Sequence, residues 1–257
     1  MFYASIAKPE QGTHLLDKQN KQHHIHGGIK MGQRGTVIVA IMIAIVVISS
    51  ACFWSLSHSK KVNDGYTDRI ASSLTRYDKL LSIDEQRRNS LKKITAIIAR
   101  YNANMAEEQR SAIANEIYLM SEKYPNLNVD FICATITHES AKTWDAKVVS
   151  RVGAMGLMQI MPATGAFLAA EEGIQWSTAE EVLFQPIYNI RLGCRYLNGL
   201  VGMYQEDGGL AAYNGGPKRA EMWLAANRNN NILYQETRNY VPAVLKLYDQ
   251  FKADETL

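Results

Sequence analysis

One carboxylate in this sequence sits where a proton donor would be made. Val129, Ile132, Ile136 and Glu139 recur at intervals of three and four residues, so the acid shares the helical face that buries the isoleucines. Burial disfavours the charged form, and the negative end of the helix disfavours it further, so both effects raise the pKa. A glutamic acid still protonated near neutrality can donate that proton in general acid catalysis. After Glu139 comes a loop of small residues, Ser150 to Gly156, with two glycines that permit close backbone approach. Gln159 adds an amide suited to hydroxyl or N-acetyl groups, and Met155, Met158 and Met161 offer adaptable apolar surface. A carboxyl donor beside such a loop suits a sugar polymer.

The elements that must position these groups read as helices. From 106 to 252 helical runs alternate with Gly, Pro and Asn breaks, and no strand series appears, so an all-α domain is expected. Helices are predicted over 106–123 and 129–139, from Pro162 to a stop at Gly173, and over 186–200, 210–213 and 240–251. Residues 55–105 are charged and helix-prone, with apolar positions at Ile70, Leu74, Tyr77 and Leu81 and again at Leu91, Ile94, Ile98, Tyr101 and Met105. They read as a helical stalk or hairpin, with a polar interruption over 82–90. Forty helical residues would span about 60 Å. Self-association as a coiled coil and an ordinary packed helix pair both fit this pattern.

Residues 36–54 carry no charge and approach the length that crosses a bilayer. Basic residues balance on either side, so charge leaves the orientation tied; a short tail ahead of a long folded part is the usual form of a signal anchor. Met31 as an alternative start would give an export-signal pattern ending in Ser49-Ser50-Ala51 before Cys52, where cleavage or lipidation would fall. Residues 1–35 are polar and read as a tail; His23, His24 and His26 could ligate a metal, although three histidines in such a segment more often bind nothing specific. Of 257 residues, 47% are hydrophobic and 21% charged, and the net charge of +3 is too weak and scattered for a nucleic-acid partner, though it suits an anionic membrane or wall. Cys133 and Cys194 lie among apolar neighbours and read as buried thiols, or as a disulfide if the domain is exported.

Five blocks, in order, carry a resemblance. These are Glu139-Ser140, the Gly156 to Thr164 run, Asn189-Ile190-Arg191-Leu192-Gly193, the Ala212 to Pro217 turn, and Glu236 to Val241. Over residues 120–250 the chain resembles the lytic transglycosylase domain of the goose-lysozyme-like superfamily. That resemblance implies a lysozyme-like α-helical fold and cleavage of the β-1,4 bond between N-acetylmuramic acid and N-acetylglucosamine in peptidoglycan. It implies Glu139 as acid and base, Ser150 as a partner near the muramoyl group, Gln159, Met161 and Asn214 as groove residues, and Tyr213 and Tyr240 beside the carboxylate. A phenol at Tyr213 would orient the acid by hydrogen bonding, the turn Asn214-Gly215-Gly216 aiming the ring inward.

Most glycosidases use two carboxyl groups. Here one would serve both steps: Glu139 protonates the bridging oxygen and then takes a proton from the muramoyl 6-hydroxyl, which closes a 1,6-anhydro ring from a tethered position. No metal or cofactor is called for. Two departures from the common pattern stand out. The stretch 141–149 is about two residues longer, which bears on the substrate contacts of Trp144 and Asp145, and Gln185 replaces an aspartate before Pro186. A second carboxylate at Asp145 would make the protein a lysozyme-type muramidase, whereas Asp145 as a turn cap would not. A wall-binding scaffold without activity is a third reading. The expected setting is the bacterial inner membrane, single-pass through 36–54, with the catalytic domain of 106–252 in the periplasm or cell-wall space. Its partners would be peptidoglycan strands and, in some settings, a secretion, conjugation or phage apparatus.

Overall fold

The computed structural model describes residues 32–254; the tail histidines, the Met31 start and most of the 1–35 segment lie outside the described residues. The chain divides into two units, residues 1–72 and 73–257. In the first, the described residues form the opening part of α1 (Gln33–Tyr101), whose side chains are largely exposed. Its most apolar 18-residue window has a mean hydropathy of 2.8, so by length and composition it could cross a membrane.

The second unit takes in the rest of α1 and seven further helices. They are α2 (Glu107–Lys123), α3 (Val129–Glu139), α4 (Pro162–Glu171), α5 (Ala179–Leu183), α6 (Pro186–Gly215), α7 (Pro217–Ala225) and α8 (Gln235–Ala253). The expected all-α domain is found. Helix α3 spans the residues read for it because Asn128 caps it: its side-chain oxygen accepts from the Phe131 N–H. Helix α6 joins two segments read as separate, bending at Gln205, whose φ of 65° lies outside the helical range.

The stalk reading changes at its far end. Helix α1 runs through 82–90 without a break, since Asp, Glu, Gln and Arg are all tolerated in helices. Ile94, Ile97 and Ile98 are fully buried and join Met105 in the core of the domain, with Leu91 and Tyr101 packed against it, whereas Ile70, Leu74, Tyr77 and Leu81 are exposed. That core gathers α3 at its centre. Phe131 meets Tyr248 of α8 edge to face at 5.1 Å, and the Asn128 Nδ2 donates to the Tyr248 hydroxyl at 2.6 Å. On another side Arg191 of α6 pairs through both Nε and Nη2 with the buried Glu116 of α2.

Cys133 and Cys194 are buried free thiols, with no disulfide between them; the Cys194 sulfur rests 3.9 Å from that of Met158. Gln185, standing where a capping aspartate is common, occupies the N-cap of α6 and makes no side-chain cap bond. Its longer side chain forgoes the short-range bond that Asp makes there.

Candidate active site

A groove of about 600 Å³ opens at the C-terminal end of α3. His138 and Glu139 come from that helix end, Ser150, Val152, Ala154, Gln159 and Met161 from the following loop, Tyr213 and Asn214 from the end of α6, and Glu236, Asn239, Tyr240 and Ala243 from α8. All seven site residues proposed from sequence therefore line one cavity.

Glu139 is held by α8. The Tyr240 hydroxyl donates to its Oε1 at 2.7 Å. Burial pushes the Glu139 carboxyl up to about 7; the Tyr240 bond pulls it down and the charge of Glu236 adds to the rise. The phenols of Tyr240 and Tyr213 are both driven well above their usual range by burial, so they remain neutral donors. Tyr213 does not bond the acid, contrary to the sequence reading: its hydroxyl donates to the Met158 carbonyl at 2.7 Å. The ring thereby braces the loop, and orientation of the carboxyl falls to Tyr240.

The loop from 148 to 160 is a tight ribbon. Met155 and Ile160 exchange backbone bonds of 3.0 Å in both directions, and the Ser150 N–H bonds to the Ala154 carbonyl. The Ser150 hydroxyl accepts from the Ala154 N–H at 3.0 Å, which leaves its own proton free to donate. Gln159 donates through Nε2 to the carbonyls of Val148 and Gly156, which leaves its amide oxygen for the groove. Of the three methionines only Met161 presents surface, at 43% exposure; Met155 and Met158 are core. Gly156, with φ of 80°, is needed for a different reason from ligand approach. A Cβ there would strike the Asn189 amide and the Leu183 carbonyl.

Two rim residues also resolve. Trp144 is fully buried, its indole donating to Thr137 Oγ1 at 3.1 Å, so it touches no substrate. Asp145 accepts from the Lys147 N–H at 2.9 Å in a side-chain turn and does not line the groove. Asn214 bridges to α8: its Oδ1 accepts from Thr237 Oγ1 at 2.7 Å, and its Nδ2 reaches Glu236 at 3.5 Å. Glu236, Asn239, Tyr240 and Ala243, at helical spacing on α8, form a groove wall of which sequence reasoning singled out Tyr240 alone. Their i, i+3, i+4, i+7 pattern was the available signal. Among the described residues no group of His, Cys, Asp and Glu is arranged to hold a metal.

The turn that ends α3 carries strain. The Ala141 N–H bonds to the His138 carbonyl and the Lys142 N–H to the Thr137 carbonyl, a Schellman closure with alanine at the position that usually takes glycine. Its φ is 52°. Ala141→Gly should therefore raise the melting temperature by about 2 °C, relieving roughly 1 kcal/mol of left-handed strain. A thermal melt showing a loss would contradict this.

The helical domain thus holds one buried acid, gripped by Tyr240, in the wall of a groove. Residues 116–235 match the Transglycosylase SLT domain family. The chain is 32% identical over 171 residues to a "Soluble lytic murein transglycosylase" of Salmonella typhimurium, covering 62% of this chain and 26% of the relative. A "Putative soluble lytic murein transglycosylase" of Haemophilus influenzae is 36% identical over 132 residues, covering 47% of this chain and 22% of that one. The chain thus spans about a quarter of the length of these relatives. Among solved structures, the 70 kDa soluble lytic transglycosylase of Escherichia coli aligns with a TM-score of 0.50 at 27% identity, over 66% of this chain and 30% of that one.

Proposed function

We propose that this protein is a membrane-anchored peptidoglycan lytic transglycosylase that cuts the β-1,4 bond between N-acetylmuramic acid and N-acetylglucosamine, leaving a 1,6-anhydromuramoyl end. The observation that carries the reading is Glu139, raised to about 7 and gripped by Tyr240 in the groove wall. Near neutral pH such a group has a proton to give and, having given it, takes one back readily. It protonates the bridging oxygen, and the resulting carboxylate accepts the proton of the muramoyl 6-hydroxyl, which attacks from within the same sugar. Ser150, with a free hydroxyl proton, and Gln159, with a free amide oxygen, supply one donor and one acceptor for the sugar substituents. Met161 offers apolar surface to the pyranose ring, and Asn214 and Tyr213 complete the wall.

A muramidase reading draws on one observation, the second groove carboxylate Glu236. Glu236 is exposed and engages Asn214, so it is less suited to hold a water against the sugar. Mass spectrometry of the released muropeptides separates the two: anhydromuramoyl ends support the transglycosylase, reducing ends the hydrolase. A non-catalytic scaffold would release neither. Anchoring rests on the uncharged stretch 36–54, which would hold the domain in the periplasm or wall space of a bacterial inner membrane. Tethering favours local cutting, whether in wall turnover or in clearing a passage for a secretion, conjugation or phage apparatus.

Tyr240→Phe tests the grip on the acid. Removing a bond that lowers the pKa of Glu139 should move the alkaline limb of the pH–rate profile to higher pH, while loss of orientation should lower the rate roughly tenfold. An unmoved alkaline limb would show that the phenol does not hold the reacting carboxyl.

A further inference from the structure

Two walls of the groove are joined through one buried hydroxyl. Thr237 lies on α8 in the same turn as the groove residues Glu236 and Tyr240, is 1% exposed, and donates through Oγ1 to Asn214 Oδ1 at 2.7 Å. A hydroxyl so buried has no water to turn to, so it is committed to this acceptor. The approach depends on Gly215, the residue after Asn214 at the end of α6. A Cβ there would come within 2.8 Å of the Thr237 hydroxyl oxygen and 3.1 Å of its methyl group, and would push the hydroxyl off its partner.

The other half of the amide is turned to Glu236. Asn214 Nδ2 reaches Glu236 Oε1 at 3.5 Å. A carboxylate only accepts, and an amide donates only from its nitrogen, so the two anchors on α8 fit one orientation of the side chain. Turned over, the amide would set its oxygen against the Glu236 carboxylate. Nδ2 carries two protons, and Glu236 takes one. Asn214 is half-buried and lines the groove, so the second proton is open to a ligand there.

We propose that Thr237 and Glu236 are positioning residues, which lock the Asn214 amide so that its second N–H is presented to the groove as a donor to an acetamido carbonyl of the glycan strand. The inference rests on the glycan-cleaving reading above and deepens it. Sugar hydroxyls can donate or accept as the site requires, whereas a carbonyl only accepts, so a fixed N–H selects the acetamido group. The second carboxylate of the groove then has a task other than activating water.

The test measures KM and kcat of full-length protein in detergent on peptide-free glycan strands. Thr237→Val keeps the side-chain shape and removes the hydroxyl; it should raise KM about fivefold and lower kcat by less than about twofold. Thr237→Ser keeps the hydroxyl and should retain the wild-type KM. Asn214→Ala should raise KM by as much as Thr237→Val, and the double variant no further, because both changes remove the same donor. Losses that multiply in the double variant would show the two side chains acting apart. A fall in kcat as large as the rise in KM, or a Thr237→Ser variant as impaired as Thr237→Val, would show that Thr237 serves only the packing of α8. Any of these results overturns the lock. Wild-type protein inert on the strands would instead overturn the glycan-cleaving reading, and this inference with it.

Discussion

Glu139→Gln is expected to abolish cleavage of purified sacculi, lowering kcat by about 10³-fold or more, while strand binding persists. General acid–base catalysis contributes roughly 10²–10⁴-fold where one group serves one step. In the proposed mechanism Glu139 serves two, first as acid and then as base, and no other groove side chain takes over either. The amide keeps the shape of the acid and can still accept from Tyr240, so the groove should survive. Binding of undigested strands by the variant separates lost chemistry from lost structure. Digestion at the wild-type rate would remove Glu139 from the reaction.

The same substitution has a consequence for stability. The folded pKa of Glu139 is raised from 4.5 to about 7, so between these values the folded protein keeps a proton that the unfolded chain releases. The stabilisation linked to that proton is fully present below pH 4.5 and is lost as pH rises through about 7. Its size is at most about 3 kcal/mol, and less because Glu139 is partly exposed in the groove. Glutamine stays neutral throughout. Glu139→Gln should therefore melt at a higher temperature than the wild type at pH 8, with the gap closing toward pH 4. The acid that the proposed mechanism uses is a burden on the fold once ionised.

How much of this was legible in the residues depends on the range of the interactions involved. Helix α3 and its carboxylate follow from a local period and a local cap at Asn128, and both read directly. Helix α5 was also legible, since Thr178 and Glu181 have the spacing of a capping box and the Thr178 hydroxyl accepts the Glu181 N–H, yet it was not singled out. Which tyrosine holds the acid was not legible. Tyr213 and Tyr240 arrive from α6 and α8, and only packing decides that one phenol reaches Glu139 and the other the Met158 carbonyl. The same holds for Trp144, whose place beside the turn that ends α3 suggested a rim contact until burial of its ring settled it inside the core. The bend at Gln205 has no proline or glycine at the residue that adopts it.

Asn189→Leu should be the most damaging change outside the acid itself, and it should act through the loop. The Asn189 side chain is fully buried; its Oδ1 accepts the Met158 N–H at 2.7 Å and its Nδ2 donates to the carbonyls of Met155 and Leu183, both at 2.9 Å. One amide therefore satisfies three backbone groups that have no water to turn to. Leucine keeps its branched shape but strands all three, at roughly 1–3 kcal/mol each, for a total of about 3–9 kcal/mol. A fall of roughly 10 °C or more in melting temperature would follow. The bonds also fix the ribbon that carries Gln159 and Met161, and the Met158 carbonyl that receives Tyr213, so residual folded protein should bind strands weakly. Asn189→Asp keeps the acceptor and loses both donors, and should fall between. If Asn189→Leu melted within a few degrees of the wild type, the loop would have to be held by something other than this amide, and the groove would not owe its shape to α6.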